Sequence, residues 1–173
     1  MAVINRIGDF HADMTAWRRD LHKHPETAFE ERRTSDFVAE KLTEFGLEVH
    51  RGLAGTGVVG LLDGKRDNGR FIGLRADMDA LHIRELNDFG HASVHDGKMH
   101  ACGHDGHTTM LLGAARLLRE RELEAPVRLL FQPAEEKGTG ARAMMAEGAL
   151  EGVSAIVAGH LDCQYPAGTM VVV

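Results

Sequence analysis

The sequence predicts an α/β fold, a mixed sheet flanked by helices, on three observations. Stretches with large apolar residues every three or four positions alternate with short runs rich in Val, Leu and Ile. That is the pattern of helices packed over a sheet. Three of the strand-like runs also end in acidic or imidazole groups, and in open α/β sheets the ligand site lies beyond the carboxyl ends of the strands. With 173 residues the chain suffices for one ordinary domain that buries roughly two-thirds of the surface its unfolded form exposes.

The elements follow in order. Ile4, Ile7, Phe10, Met14, Trp17 and Leu21 mark one face of an amphipathic helix that Pro25 closes. Its polar tail, residues 18–26, reads as a solvated helix end. A second helix is expected over 30–45, with Phe37, Val38, Leu42 and Phe45 inward and Gly46 as its stop. Strands are expected at 47–50, 56–62 and 70–76, with Asp63-Gly64 and Asn68-Gly69 supplying turn chemistry between the last two. Residues 81–103 have no clear period, and a loop of that length inside a domain is usually functional or disordered. A helix is expected over 108–120, with Asp105 or Thr108 as its N-cap. Then come a strand at 127–131, a helix at 140–150 with Met144, Met145 and Leu150 inward, a strand at 153–158 and a last strand at 165–173.

Composition narrows the function classes. A formal net charge of −6 and a pI near 6.0 offer no basic field for nucleic acid or an anionic membrane, so neither is an expected partner. Residues 1–20 carry Asp9, Asp13, Arg18 and Arg19 and no apolar segment of the secretory kind, and no run reaches the length of a membrane span. A reducing cytoplasm is therefore expected. There Cys102 serves as a thiolate ligand and not as half of a disulfide with Cys163.

The chemistry concentrates between His91 and His107, where His91, His95, His100, His104 and His107 surround Cys102. Thiolate and imidazole are the usual donors for zinc-like metals. Cys102 and His104, two apart, project to one side of an extended loop, and Gly103 and Gly106 let the backbone bend there. Entry into a helix at this point favours the thiolate form of a nearby cysteine. Asp77 and Asp79, Glu135 and Glu136, and His160 follow the three donor-ending strands and converge on the same edge. Adjacent glutamates divide their labour: with Glu136 on a metal, Glu135 is free to act on water as the general base. That is the machinery of amide hydrolysis. No G-x-S-x-G elbow, P-loop, dinucleotide fingerprint or zinc-deaminase signature competes with it.

Four strings carry a family resemblance: Trp17-Arg-Arg-Asp-Leu-His-x-His-Pro-Glu26, Leu74-Arg-Ala-Asp-Met-Asp-Ala-Leu81, the run from His95 to Thr108, and Gln132-Pro-Ala-Glu-Glu136. They resemble the M20 metallopeptidases, in particular the hippurate hydrolases, aminoacylases and auxin-conjugate hydrolases that cleave N-acyl amino acids. The resemblance implies two divalent ions (manganese, zinc, nickel or cobalt) held by Cys102, His104, Glu136 and His160, with Cys102 bridging and Glu135 as general base. It places Asp77, Asp79, Asp105 and His107 beside the site, orienting the ligands. The substrate is then a small N-acyl amino acid. A dipeptidase or aminopeptidase of the same family is the alternative, and so is an inactive metal-binding fragment. Such enzymes are about twice as long, with a smaller lid and dimerisation domain and a further ligand near the C-terminus. On that basis residues 1–173 are expected to be a truncated catalytic domain, with a homodimer only for the full-length protein. Two positions depart from the family pattern: His82 stands where Pro is usual, and Gly159-His160-Leu161 where Met-His-Asn is usual.

Overall fold

The computed structural model describes residues 2–66 and 69–172, with side chains from Arg6 onward. The Ile4 side chain, Asn68 and Val173 lie outside the described residues. The chain forms α1 (Ala2–Lys23), α2 (Arg32–Glu44), β1 (Glu48–Leu53), β2 (Gly57–Leu62), β3 (Phe71–Asp77), α3 (His104–Arg119), β4 (Val127–Gln132), α4 (Gly140–Ala146) and β5 (Val153–Ala158). The sheet has the order β1-β2-β4-β3-β5. β2 runs antiparallel to β1 and β4, while β4, β3 and β5 are mutually parallel. The α/β expectation holds, and the three strands expected to end in donors lie side by side with their carboxyl ends on one edge.

The two faces of the sheet are covered unequally. Val38 and Leu42 of α2 and Leu112 and Ala115 of α3 pack against Val58, Leu129 and Phe131, and the main core forms there. Fully burying each such side chain contributes about 1.5–3 kcal/mol. α1 lies on the outside of this layer, burying Phe10 and Leu21 and setting Trp17 6.0 Å from the Phe45 ring. On the opposite face the main cover is Met144 and Ala149, over Val59 and Leu130. β5, at the sheet edge, leaves Ile156 and Val157 51% and 59% exposed.

Several details differ from expectation. α3 begins at His104, four residues early, because Gly103 takes the left-handed conformation (φ +86°) that starts it; neither Asp105 nor Thr108 is the N-cap. Met145 is 55% exposed, since the short α4 buries only Gly140 and Met144. The expected strand at 165–173 does not form: residues 159–172 are turn and coil, with Pro166 accepting from the Thr169 amide in a turn where a ladder would need extended backbone. Loop 81–103 is ordered, tied by the Leu81–Met99 bridge and by the Lys23 carbonyl, which accepts from the Val94 amide. No helix among the described residues is long and apolar enough to cross a membrane.

Candidate metal centre

His104 is the centre of the site. It opens α3, is fully buried, and neither ring nitrogen has a hydrogen-bond partner. Its Nε2 lies 3.7 Å from Asp77 Oδ1, 3.7 Å from Glu136 Oε1 and 3.8 Å from Glu135 Oε2. Its Nδ1 is 3.4 Å from Asp79 Oδ1. Among the described residues, three groups of donor atoms are close enough to share an ion, and all include it: Cys102 with His160, Asp77 with His107, and Glu135 with Glu136. The Cys102 Sγ is 3.4 Å from His160 Nε2. Sequence spacing could not bring His160 to Cys102; the parallel β4-β3-β5 order does.

Electrostatics fit a cation in the middle of this group. Burial first, then the Glu136 carboxylate, push the Cys102 thiol up to about 11. The helix N-terminus, expected to favour thiolate, is outweighed by burial and by the neighbouring carboxylates. His104 titrates above its ordinary value: burial lowers it, but Asp79, Asp77 and Glu136 raise it by more. Soft sulfur, imidazole and carboxylate are a donor set for a divalent transition metal, and orphaned buried imidazole nitrogens are what such an ion satisfies.

The donors are held from behind. Asp79 accepts from the Glu135 and Glu136 amides, one on each oxygen, both at 3.0 Å, so a single buried carboxylate fixes both glutamates and faces His104. Asp77 accepts from His107 Nδ1 at 2.6 Å, and His107 Nε2 accepts from the Leu161 amide at 2.8 Å. With one nitrogen donating and the other accepting, His107 is the neutral Nδ1-H tautomer. It links the end of β3 to the residue after His160. Leu161 then folds over α3, where a Cβ on Gly106 would come within 2.6 Å of Leu161 Cδ1, so a larger residue there would shift the end of that side chain. Asp77 stays below the ordinary carboxylate range although burial raises it, because His107, His104 and Arg75 all favour its charged form.

The structure brings together Cys102, His104, Glu135, Glu136, His160, Asp77, Asp79 and His107. Asp105 sits one residue from His104 but faces away, toward His22 and Arg18. Both glutamates approach His104 Nε2, so direction alone does not separate ligand from base. His91 stacks on Phe89 at 4.1 Å, and His95 meets the Pro25 carbonyl; neither joins a donor group. The solvated reading of residues 18–26 is wrong in part. His22 is buried at 3% exposure, and Glu26 accepts from the Arg33 and Thr34 amides at the start of α2. Sequence reasoning also missed Glu31, fully buried, whose carboxylate accepts from Thr56 Oγ1 and from the Ala134 amide just before the glutamate pair. One signal was available for His22: it stands four residues after Arg18, on the same side of α1.

Comparison with known proteins identifies relatives of this chain. An IAA-amino acid hydrolase (ILR1-like 4) of Arabidopsis thaliana is 48% identical over 162 residues, 92% of this chain and 36% of that protein. An N-acyl-L-amino acid amidohydrolase of Geobacillus stearothermophilus is 45% identical over 90% of this chain and 42% of its own length. The hippurate hydrolase of Campylobacter jejuni is 45% identical, with 87% and 39% covered. The chain thus spans about two-fifths of the length of these curated relatives. Among solved structures, the Bacillus subtilis YXEP protein, described as a dinuclear metal-binding peptidase of the M20 family, superposes with a TM-score of 0.82 at 45% identity, covering 86% of this chain and 42% of that one. Residues 73–173 match the model of peptidase family M20/M25/M40, and the chain belongs to that family.

Proposed function

We propose that this chain is the metal-binding part of an amidohydrolase that cleaves the amide bond of N-acyl amino acids, giving a carboxylic acid and a free amino acid. The observation that carries the reading is the buried His104, with no hydrogen bond at either nitrogen, where three donor groups overlap. Cys102, His104, Glu136 and His160 are assigned as ligands to two divalent ions, with Glu135 as general base and Asp77, Asp79 and His107 orienting them from behind. Asp105 orients them only indirectly, by holding the start of α3. Bound divalent ions supply Lewis acidity toward an amide carbonyl and acidify water. The residues do the rest. Glu135 takes the proton of water as its oxygen bonds to the acyl carbon, and returns it to the amine nitrogen as the C–N bond breaks. Asp79 keeps Glu135 and Glu136 in register throughout by holding both their amides.

The names of the relatives, hippurate hydrolase and N-acyl-L-amino acid amidohydrolase among them, support the substrate class. The coverage of about two-fifths supports the further proposal that residues 1–173 work with a lid domain and additional catalytic-domain sequence; a cytoplasmic location, and a homodimer for the full-length protein only, are proposed on the sequence expectations alone. The test is hydrolysis of hippurate, N-acetyl amino acids and dipeptides by the longest reading frame containing this chain, metal-loaded. Turnover of N-acyl amino acids, lost in Glu135→Gln with metal content unchanged, is the expected result. Faster turnover of dipeptides, or full activity in Glu135→Gln, contradicts it.

A further inference from the structure

Behind the first turn of α3 lies a second polar cluster, outside the groups of candidate metal donors. His22 of α1 sits between two carboxylates: its Nδ1 is 2.7 Å from Asp105 Oδ2 and its Nε2 is 3.0 Å from Glu85 Oε1. All three side chains are buried, at 3%, 0% and 4% exposure. A neutral imidazole donates from one nitrogen only, which would leave the lone pair of the other facing an ionised carboxylate. Glu85 and Asp105 are both held below the ordinary carboxylate range although burial raises each, and with both ionised the two contacts are satisfied together only when both nitrogens carry hydrogen.

We propose that His22 is a positioning residue in the form of a doubly donating imidazolium, clamping Asp105 and Glu85 together and so fixing the α3 N-terminus that presents His104.

The surroundings balance this charge. Arg18 Nε reaches the same Asp105 oxygen at 2.8 Å, so two cations meet two carboxylates and the cluster is neutral. Arg18 Nη2 also lies 3.4 Å from His22 Nδ1; both are donors, and that approach follows from their shared acceptor. His91 accepts from Arg18 Nη1 at 3.3 Å and is therefore neutral, and burial followed by the Arg18 charge holds it below its ordinary value. The His100 ring lies 6.4 Å from that of His22 and makes no hydrogen bond to the cluster. The Asp105 contact raises His22 above the ordinary imidazole value, against the pull of burial. The clamp also reaches loop 81–103. Glu85 accepts from the Ser93 amide at 2.6 Å and from Asn87 at 2.9 Å, so one carboxylate folds that loop onto α1. Asp105 Oδ1 meanwhile accepts from the Gly106 amide at the first turn of α3. His22 thus joins α1, the loop and α3 at one point.

The inference rests on the metal-site reading only for its effect on metal affinity, and the tests separate the two. In 15N-edited spectra of the full chain at about pH 8, where a free imidazole is neutral, both His22 nitrogens should show imidazolium shifts; a neutral tautomer overturns the proposal. In His22→Gln, and in the milder Glu85→Gln, amide exchange at Gly106 and His107 should quicken by at least about tenfold relative to the α3 interior. Unchanged exchange in both variants overturns it. Cobalt(II) affinity should fall about 10- to 100-fold in His22→Gln while thermal unfolding stays cooperative. Equal cobalt affinity in variant and wild type overturns the positioning role. Failure of the wild type to bind cobalt would instead count against the metal site, leaving the spectra and the exchange rates to decide on His22.

Discussion

The two sides of the candidate centre are built differently. On the β3–α3 side, Asp77, Asp79, His104 and His107 are each no more than 2% exposed and stand on the main core, where Leu112 and Leu129 are fully buried. On the β5 side, His160 is exposed, and Leu161 beside it is 50% exposed. The first side is fixed by its burial and by the hydrogen bonds of Asp77 and Asp79. The second is held to it by the parallel pairing of β5 with β3 and, beyond the strand, by the His107 bond to the Leu161 amide and the contact of His160 with Cys102. The preorganised half sets the position of the site, and the exposed half closes it.

The contrast can be broken at several points. The largest effect is on the support of the buried half: Leu112→Ala should cost about 2–5 kcal/mol in denaturant unfolding. Ile156→Ala on β5 should cost under about 1 kcal/mol. Equal costs would remove the distinction between the two sides. Next, Asp79→Asn removes the charge that holds both glutamate amides, and metal affinity by calorimetry should fall about 10- to 100-fold. On the exposed side the response is smaller. Gly106→Ala meets only the flexible end of Leu161, so stability should change by under about 1 kcal/mol, with a few-fold loss of metal affinity as the His160 segment shifts.

A pH experiment sharpens the same contrast. Burial raises Glu31 above its ordinary carboxylate value, so the unfolded chain gives up that proton more readily than the folded one. The folded state is favoured at this residue below the unfolded value, and the advantage is lost as pH rises through the folded value. Glu31→Gln should therefore flatten the decline in stability from about pH 4 upward, measured as the difference between the two unfolding curves. Parallel curves would mean that Glu31 carries its charge at no cost in the fold.

Much of this was legible in the sequence because it depends on period and on local donors. Helical spacing from Phe10 to Leu21 and the apolar runs at β2, β3, β4 and β5 place the elements within a few residues, and the three donor-ending strands do share one edge. Long-range geometry was not legible. Nothing local tells that His22 crosses to Asp105, 83 residues away, or that Glu31 bonds the Ala134 amide, 103 residues on. Those pairings follow from how α1, α2 and the loops stack, which periodicity does not encode. The start of α3 at His104 was missed for a different reason: a left-handed glycine opens that helix where the sequence offered Asp105 and Thr108 as caps. The valines at 171–173 looked like strand by composition alone, although the Pro166–Thr169 turn interrupts the segment.

The central claim, a metal centre shared between the two sides, is tested most directly by cobalt(II) titration of wild type, Cys102→Ala and Cys163→Ala. The account predicts a sulfur-to-cobalt absorption band in wild type and Cys163→Ala, and in Cys102→Ala loss of the band with affinity weakened by more than about 100-fold, beyond what loss of a supporting residue gives. Equally tight binding by Cys102→Ala and wild type, with the same spectrum, would contradict it.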